Sequence, residues 1–164
     1  MSKVLPERID IARLADTRAT LVGSVPIGRF VRLAPALDET AGAVEVELRF
    51  GREDGREVIV GHIEGELALR CQRCLATVRL PVRATVDLAR VASEAETVAG
   101  THEPFVAATR EVDLAVLVED ELILAVPLVP LHPDGARCRP ASIGRGGLAT
   151  NENPFAALAA LKKH

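Results

Sequence analysis

The chain has 164 residues, 48% hydrophobic and 2% aromatic, with a formal net charge of −3. This supports one domain with an aliphatic core, since Trp and Tyr are absent. It counts against an aromatic platform for single-stranded nucleic acid and against RNA capture by an overall basic field. Membrane spanning is not expected, because no stretch of about 18 apolar residues occurs. Met1–Asp16 has interspersed acids and arginines and no apolar leader, so the expected setting is the cytoplasm.

Residues 1–18 carry a short helical pattern on Ile9, Ile11 and Leu14. Residues 19–35 read as an extended segment broken by Gly23, Pro26 and Gly28, and residues 36–42 as a loop. Val44, Val46, Leu48 and Phe50 alternate with Glu45, Glu47 and Arg49, the period of a half-buried strand. The following GREDGRE reads as a hairpin turn, with Val58 and Val60 continuing the even inward set. Beyond Gly61 the inward set becomes odd (Ile63, Leu67, Leu69, Cys71), which predicts a bulge or break at that glycine. Val78, Leu80, Val82, Ala84, Val86 and Leu88 are even again, so residues 43–90 form an antiparallel meander with Cys71–Leu75 in a hairpin loop.

Residues 92–112 read as a polar, acidic connection. Residues 113–126 read as a helix, capped by Asp113 and stopped by Pro127 and Pro130, with Leu114, Leu117, Val118, Leu122 and Ala125 on one side. Glu121 falls near the middle of that side, while Glu119 and Asp120 point outward. Residues 131–152 are rich in Gly and Pro and read as a flexible connector. Asn153 and Pro154 then suit a helix start, and Phe155, Leu158 and Leu161 make a stripe at spacing three.

Two motifs stand out. Cys71 and Cys74 have the spacing of a zinc knuckle, and His132 with Cys138 would complete a Cys3His set. The same pair also fits a thiol redox motif, or one small core residue beside one loop thiol. Around it lie Arg70, Arg73, Arg79 and Arg83, side chains suited to phosphate or carboxylate. The stretch from Arg70 to Arg90 has five arginines and one acid, and the stretch from Glu94 to Glu121 has eight acids and one base. The two blocks either pair with each other or form neighbouring basic and acidic faces. No phosphate-binding loop or nucleophile elbow occurs, so no catalytic residues are assigned and the protein is read as non-enzymatic.

The segments CQRCL, DLAVLVEDELILAVPLVPLH and NPFAALAALK, in this order, resemble the YceD family of large ribosomal RNA subunit accumulation proteins. The resemblance implies a non-enzymatic role in synthesis, processing or stability of large-subunit ribosomal RNA, in a bacterial cytoplasm. Its partners would be that RNA or its precursor, reached directly or through a ribosomal or assembly protein, with neither DNA nor membrane involved. The family's cysteine pair falls on Cys71 and Cys74, its helix acids on Glu119, Asp120 and Glu121, and its terminal docking segment on Asn153–Lys162. One branch of the family has a cysteine-rich C-terminus, whereas here only Cys138 remains, which weakens a zinc role shared across the family.

The expected fold is α+β: an antiparallel β-meander or sheet with one or two packed helices and a partly mobile tail ending in a short helix. The expected division is residues 1–130 as the domain, 131–152 as connector and 153–164 as docking helix. Zinc is the one cofactor that the sequence offers. The expected RNA or partner contacts are Arg70, Arg73, Arg79, Arg83, Glu121, Phe155, Leu158 and Leu161. The alternatives are a thiol redox protein using Cys71 and Cys74, and a small structural zinc module.

Overall fold

The computed structural model describes residues 3–96, 98, 100–133 and 138. The expected connector beyond residue 133, apart from Cys138, and the terminal stripe lie outside the described residues. The elements are β1 (Arg8–Asp10), α1 (Ile11–Asp16), β2 (Thr20–Pro26), β3 (Leu37–Glu39), β4 (Ala43–Glu53), β5 (Arg56–Arg70), β6 (Thr77–Val91), β7 (Glu103–Val106), β8 (Glu111–Asp113) and α2 (Leu114–Ala125). The main sheet has the order β2-β4-β5-β6-β7, with β3 also paired to β5; β1 and β8 form a separate two-stranded ladder. The architecture is α+β.

The β4–β5 turn is tighter than the sequence suggests. Asp54 and Gly55 both have positive φ, 48° and 80°, as a two-residue hairpin turn requires. Glu53 pairs with Arg56 and Phe50 with Ile59, so an even inward set on β4 passes at once to an odd one on β5. The expected break at Gly61 is therefore absent, and the β5–β6 register runs uninterrupted from Val58 to Arg70. Ile59 is the core residue; Val60 is half-buried on the opposite face, paired with Arg49 and Asp87. Gly61 marks close approach instead, since a Cβ there would overlap the Glu47 carbonyl. At Gly65 a Cβ would lie 2.7 Å from Val44 Cγ1.

The segment 92–112 is not simply a connection, because it contains β7 and β8. Strand β7 runs parallel to β6 and covers only Leu88–Val91. Strand β8 pairs with β1 near the N-terminus, a long-range partnership that local sequence does not announce. Asp10 and Asp113 end these two strands and cap the helices that follow, accepting from Arg13 N–H at 2.9 Å and Ala115 N–H at 2.8 Å.

Helix α2 buries Leu114, Leu117, Val118 and Leu122 against the sheet, each worth about 2 kcal/mol. Its acids are arranged differently from the sequence expectation. Glu119, expected to face outward, is 3% exposed. Its carboxylate accepts from the backbone N–H groups of Arg32 at 2.6 Å and Leu33 at 2.8 Å and from Arg32 Nε at 3.2 Å. Asp120 also binds Arg32, at 2.6 Å. Glu121 is only half-buried.

Replacing Glu119 with Ala strands those donors, and should lower stability by about 2–4 kcal/mol in urea unfolding. A second prediction concerns His102, which joins Glu53 at 3.1 Å and Asp87 through its other nitrogen. These carboxylates, Glu53 foremost, raise its pKa above the ordinary value. Its stabilising contribution is complete below about pH 6.5 and is lost as pH rises through the raised value. The difference in urea midpoint between the natural protein and His102→Ala should therefore shrink between pH 5.5 and 8.5.

Candidate metal centre

The turn from β5 to β6 is a knuckle closed by backbone bonds. Cys71 N–H donates to the Ala76 carbonyl, and Leu75 N–H to the Cys71 carbonyl, both at 2.9 Å. Leu75 takes φ 62°, a left-handed conformation uncommon outside Gly and Asn. The chain leaving α2 turns extended at Val126 ahead of Pro127, as helix termination before proline requires. Gln72 N–H then donates to the Pro130 carbonyl at 2.9 Å, laying this segment beside the knuckle.

That docking brings Cys71, Cys74, His132 and Cys138 together, with one ligand atom from each lying within 4.8 Å of all the others. The sulfurs of Cys71 and Cys138 are 3.5 Å apart, and Cys74 Sγ is 3.5 Å from His132 Nδ1. Tetrahedral zinc–thiolate geometry places sulfurs about 3.8 Å apart, so the spacing suits one small ion. His132 Nε2–H donates to the Thr77 carbonyl at 3.2 Å. A carbonyl can only accept, so this bond leaves the Nδ1 lone pair facing the cysteines. The cluster can hold a metal ion with three thiolates and one imidazole.

Electrostatics separate the two buried thiols. Burial alone pushes Cys71 up, but N–H groups of Cys74, Arg73 and His132 and the Cys138 thiol together bring it down to about 5. Burial, with Cys71 and Cys74 as neighbours, pushes Cys138 up to about 11. The two shifts run in opposite directions, Cys71 down and Cys138 up. A redox CxxC of the thioredoxin kind opens a helix, whereas this one leads into β6.

The arginines near the knuckle are answered locally. Arg70 pairs with Asp38 at 3.0 Å, Arg83 with Glu64 at 3.0 Å, and Arg79 with Glu39 and, at 3.8 Å, with Glu66. The acidic block after Glu94 has other partners: Glu96 binds Arg56, Glu111 binds Arg8, Asp113 binds Arg29, and Glu119 and Asp120 bind Arg32. The two charge blocks therefore do not pair with each other among the described residues. Arg73 forms no ion pair among those residues. Glu121 meets no base there; burial, followed by Glu103 and Asp120, raises its pKa. Phe155, Leu158 and Leu161 lie outside the described residues.

Sequence reasoning turned Glu119 outward and missed the positioning bonds from Gln72 and His132. The partners of Glu119 lie in a distant turn at Arg32 and Leu33, whereas Pro127 and Pro130 ahead of His132 did signal a chain leaving the helix extended. In metal-free, reduced protein, thiolate absorbance near 240 nm should persist for one cysteine down to about pH 5 and vanish from that range in Cys71→Ser.

The family model described as "Large ribosomal RNA subunit accumulation protein YceD" matches residues 59–162. A protein of Haemophilus influenzae named "Large ribosomal RNA subunit accumulation protein YceD" is 32% identical over 173 aligned positions, covering 99% of each chain. No solved structure gives a significant match. The match spans the knuckle, α2 and most of the chain beyond it, and the chain belongs to the YceD family of large ribosomal RNA subunit accumulation proteins.

Proposed function

We propose that this protein supports accumulation of large-subunit ribosomal RNA as a non-catalytic adaptor, with a zinc-stapled hairpin at the centre of its partner-binding end. The RNA class comes from the name of its relatives. The adaptor reading is carried by one observation: Arg70, Arg79 and Arg83 each already face a carboxylate. A phosphate must displace those acids before it gains a contact, and exposed pairs of this kind supply little net field. The acidic net charge acts in the same direction.

Zinc suits the donor set of Cys71, Cys74, His132 and Cys138. When bound it supplies a cross-link between the β5–β6 knuckle and the segment after α2. Four protein ligands would close its coordination shell, as in structural rather than catalytic sites. The knuckle presents Arg73 and the exposed Leu75, with Leu128 and Val129 exposed on the adjacent segment. In this reading residues 131–152 tether the 153–164 segment, whose Phe155, Leu158 and Leu161 stripe enters a groove on a ribosomal or assembly protein. The cytoplasm is the setting that such a partner requires.

The test is a pull-down of tagged protein from its own cells, with and without RNase. A protein partner retained after RNase, and lost in Phe155→Ala/Leu158→Ala, is the expected result. Large-subunit RNA recovered alone and lost on RNase would replace the adaptor by direct binding, centred on Arg73. Metal analysis of chelator-free preparations should give one zinc per chain, and a ratio near zero rejects the staple.

A further inference from the structure

Within the four-residue cluster two contacts at 3.5 Å differ in chemistry, and Cys138 also has Cys74 as a neighbour. Cys74 faces an imidazole, whereas Cys71 faces Cys138 at 3.5 Å, although the two lie 67 residues apart in the chain. Cys71 and Cys138 are buried, and Cys74 and His132 are half-buried. A cysteine pair already in van der Waals contact needs only a small approach to bond, whereas Cys74 must first leave its imidazole.

We propose that Cys71 and Cys138 are an oxidant-modification site, cross-linked by peroxides in place of the metal. For its resting state this rests on the zinc reading above; the choice of pair rests on the sulfur contact alone. The oxidant is a hydroperoxide, hydrogen peroxide being the simplest. The Cys71 thiolate attacks one peroxide oxygen, the O–O bond breaks, and the departing hydroxide takes up a proton as water. Cys71 is then a sulfenic acid. The Cys138 sulfur gives up its proton and attacks Cys71 Sγ, the S–O bond breaks, and a second water leaves. In sum, two thiols and one peroxide give one disulfide and two waters, with two electrons passing from sulfur to oxygen.

The exchange changes what the clasp holds. A metal fixes all four side chains, so its departure with two ligands oxidised frees Cys74 and His132. The disulfide still ties Cys138 to the residue that follows β5, while the knuckle tip carrying Arg73 and Leu75 loses its second anchor. Peroxide thus alters the presenting end of the molecule and leaves the sheet intact.

The experiment uses the full chain as purified, treated with a small excess of hydrogen peroxide. Zinc release is followed with a chromophoric chelator, and non-reducing peptide mapping locates the cross-link. The expected result is a loss of 2 mass units per chain from two hydrogens, a Cys71–Cys138 peptide, and reversal by dithiothreitol. Cys74→Ser should keep the cross-link, and Cys138→Ser should abolish it. A Cys71–Cys74 or intermolecular disulfide as the main product overturns the proposal, as does sulfinic acid without a cross-link. If purified protein holds no zinc but the Cys71–Cys138 bond forms, the pairing stands and only the zinc reading falls. If zinc is bound and peroxide produces no such bond, the reverse holds.

Discussion

The carboxylate of Glu119 ties α2 to the turn between β2 and β3, and the segment that leaves α2 carries half of the four-residue cluster. The carboxylate reaches from α2 into the turn at Arg32 and Leu33 and satisfies two backbone donors there. A buried charge survives only where hydrogen bonds replace its water, and these bonds with the Arg32 guanidinium provide that replacement. Because α2 is held in rotation and height, the chain leaving it at Val126 has one direction to follow. That direction ends at the Gln72–Pro130 bond, and so at the cluster.

The other half of the cluster stands on a rigid support. Strands β5 and β6 are 15 residues each and pair without a register shift to the knuckle. A regular ladder carries position over that length because each backbone pair fixes the next. The close packing at Gly61 and Gly65 lets β4 press against β5 without a break. Pro81 lies on the stretch of β6 that β7 does not cover, where a strand tolerates a missing N–H. The knuckle is thus held by sheet geometry, and its partner segment by a helix terminus.

Charge follows the same division of labour. The acidic and basic blocks of the sequence invite a picture of two opposed faces, yet each is consumed by nearer partners from elsewhere in the chain. Mixed charge of this kind weakens the long-range field that a block of one sign would supply. What remains distinctive at the knuckle is Arg73 beside the exposed Leu75.

The amino-acid sequence alone determined the α+β class, the inward residues of β4 and β6, α2 with its Asp113 cap, and the four residues of the cluster. Each of these is written in local periodicity, in a capping or breaking residue, or in the scarcity of cysteine and histidine. The parity flip before Gly61 follows from the local Asp54-Gly55 pair, while tertiary structure decided the rest: the pairing of β8 with β1, the inward turn of Glu119, and the nitrogen of His132 that faces the thiols. These depend on which distant backbone group comes within hydrogen-bonding reach, a quantity set by the packing of β5, β6 and α2 together and by no short stretch of chain.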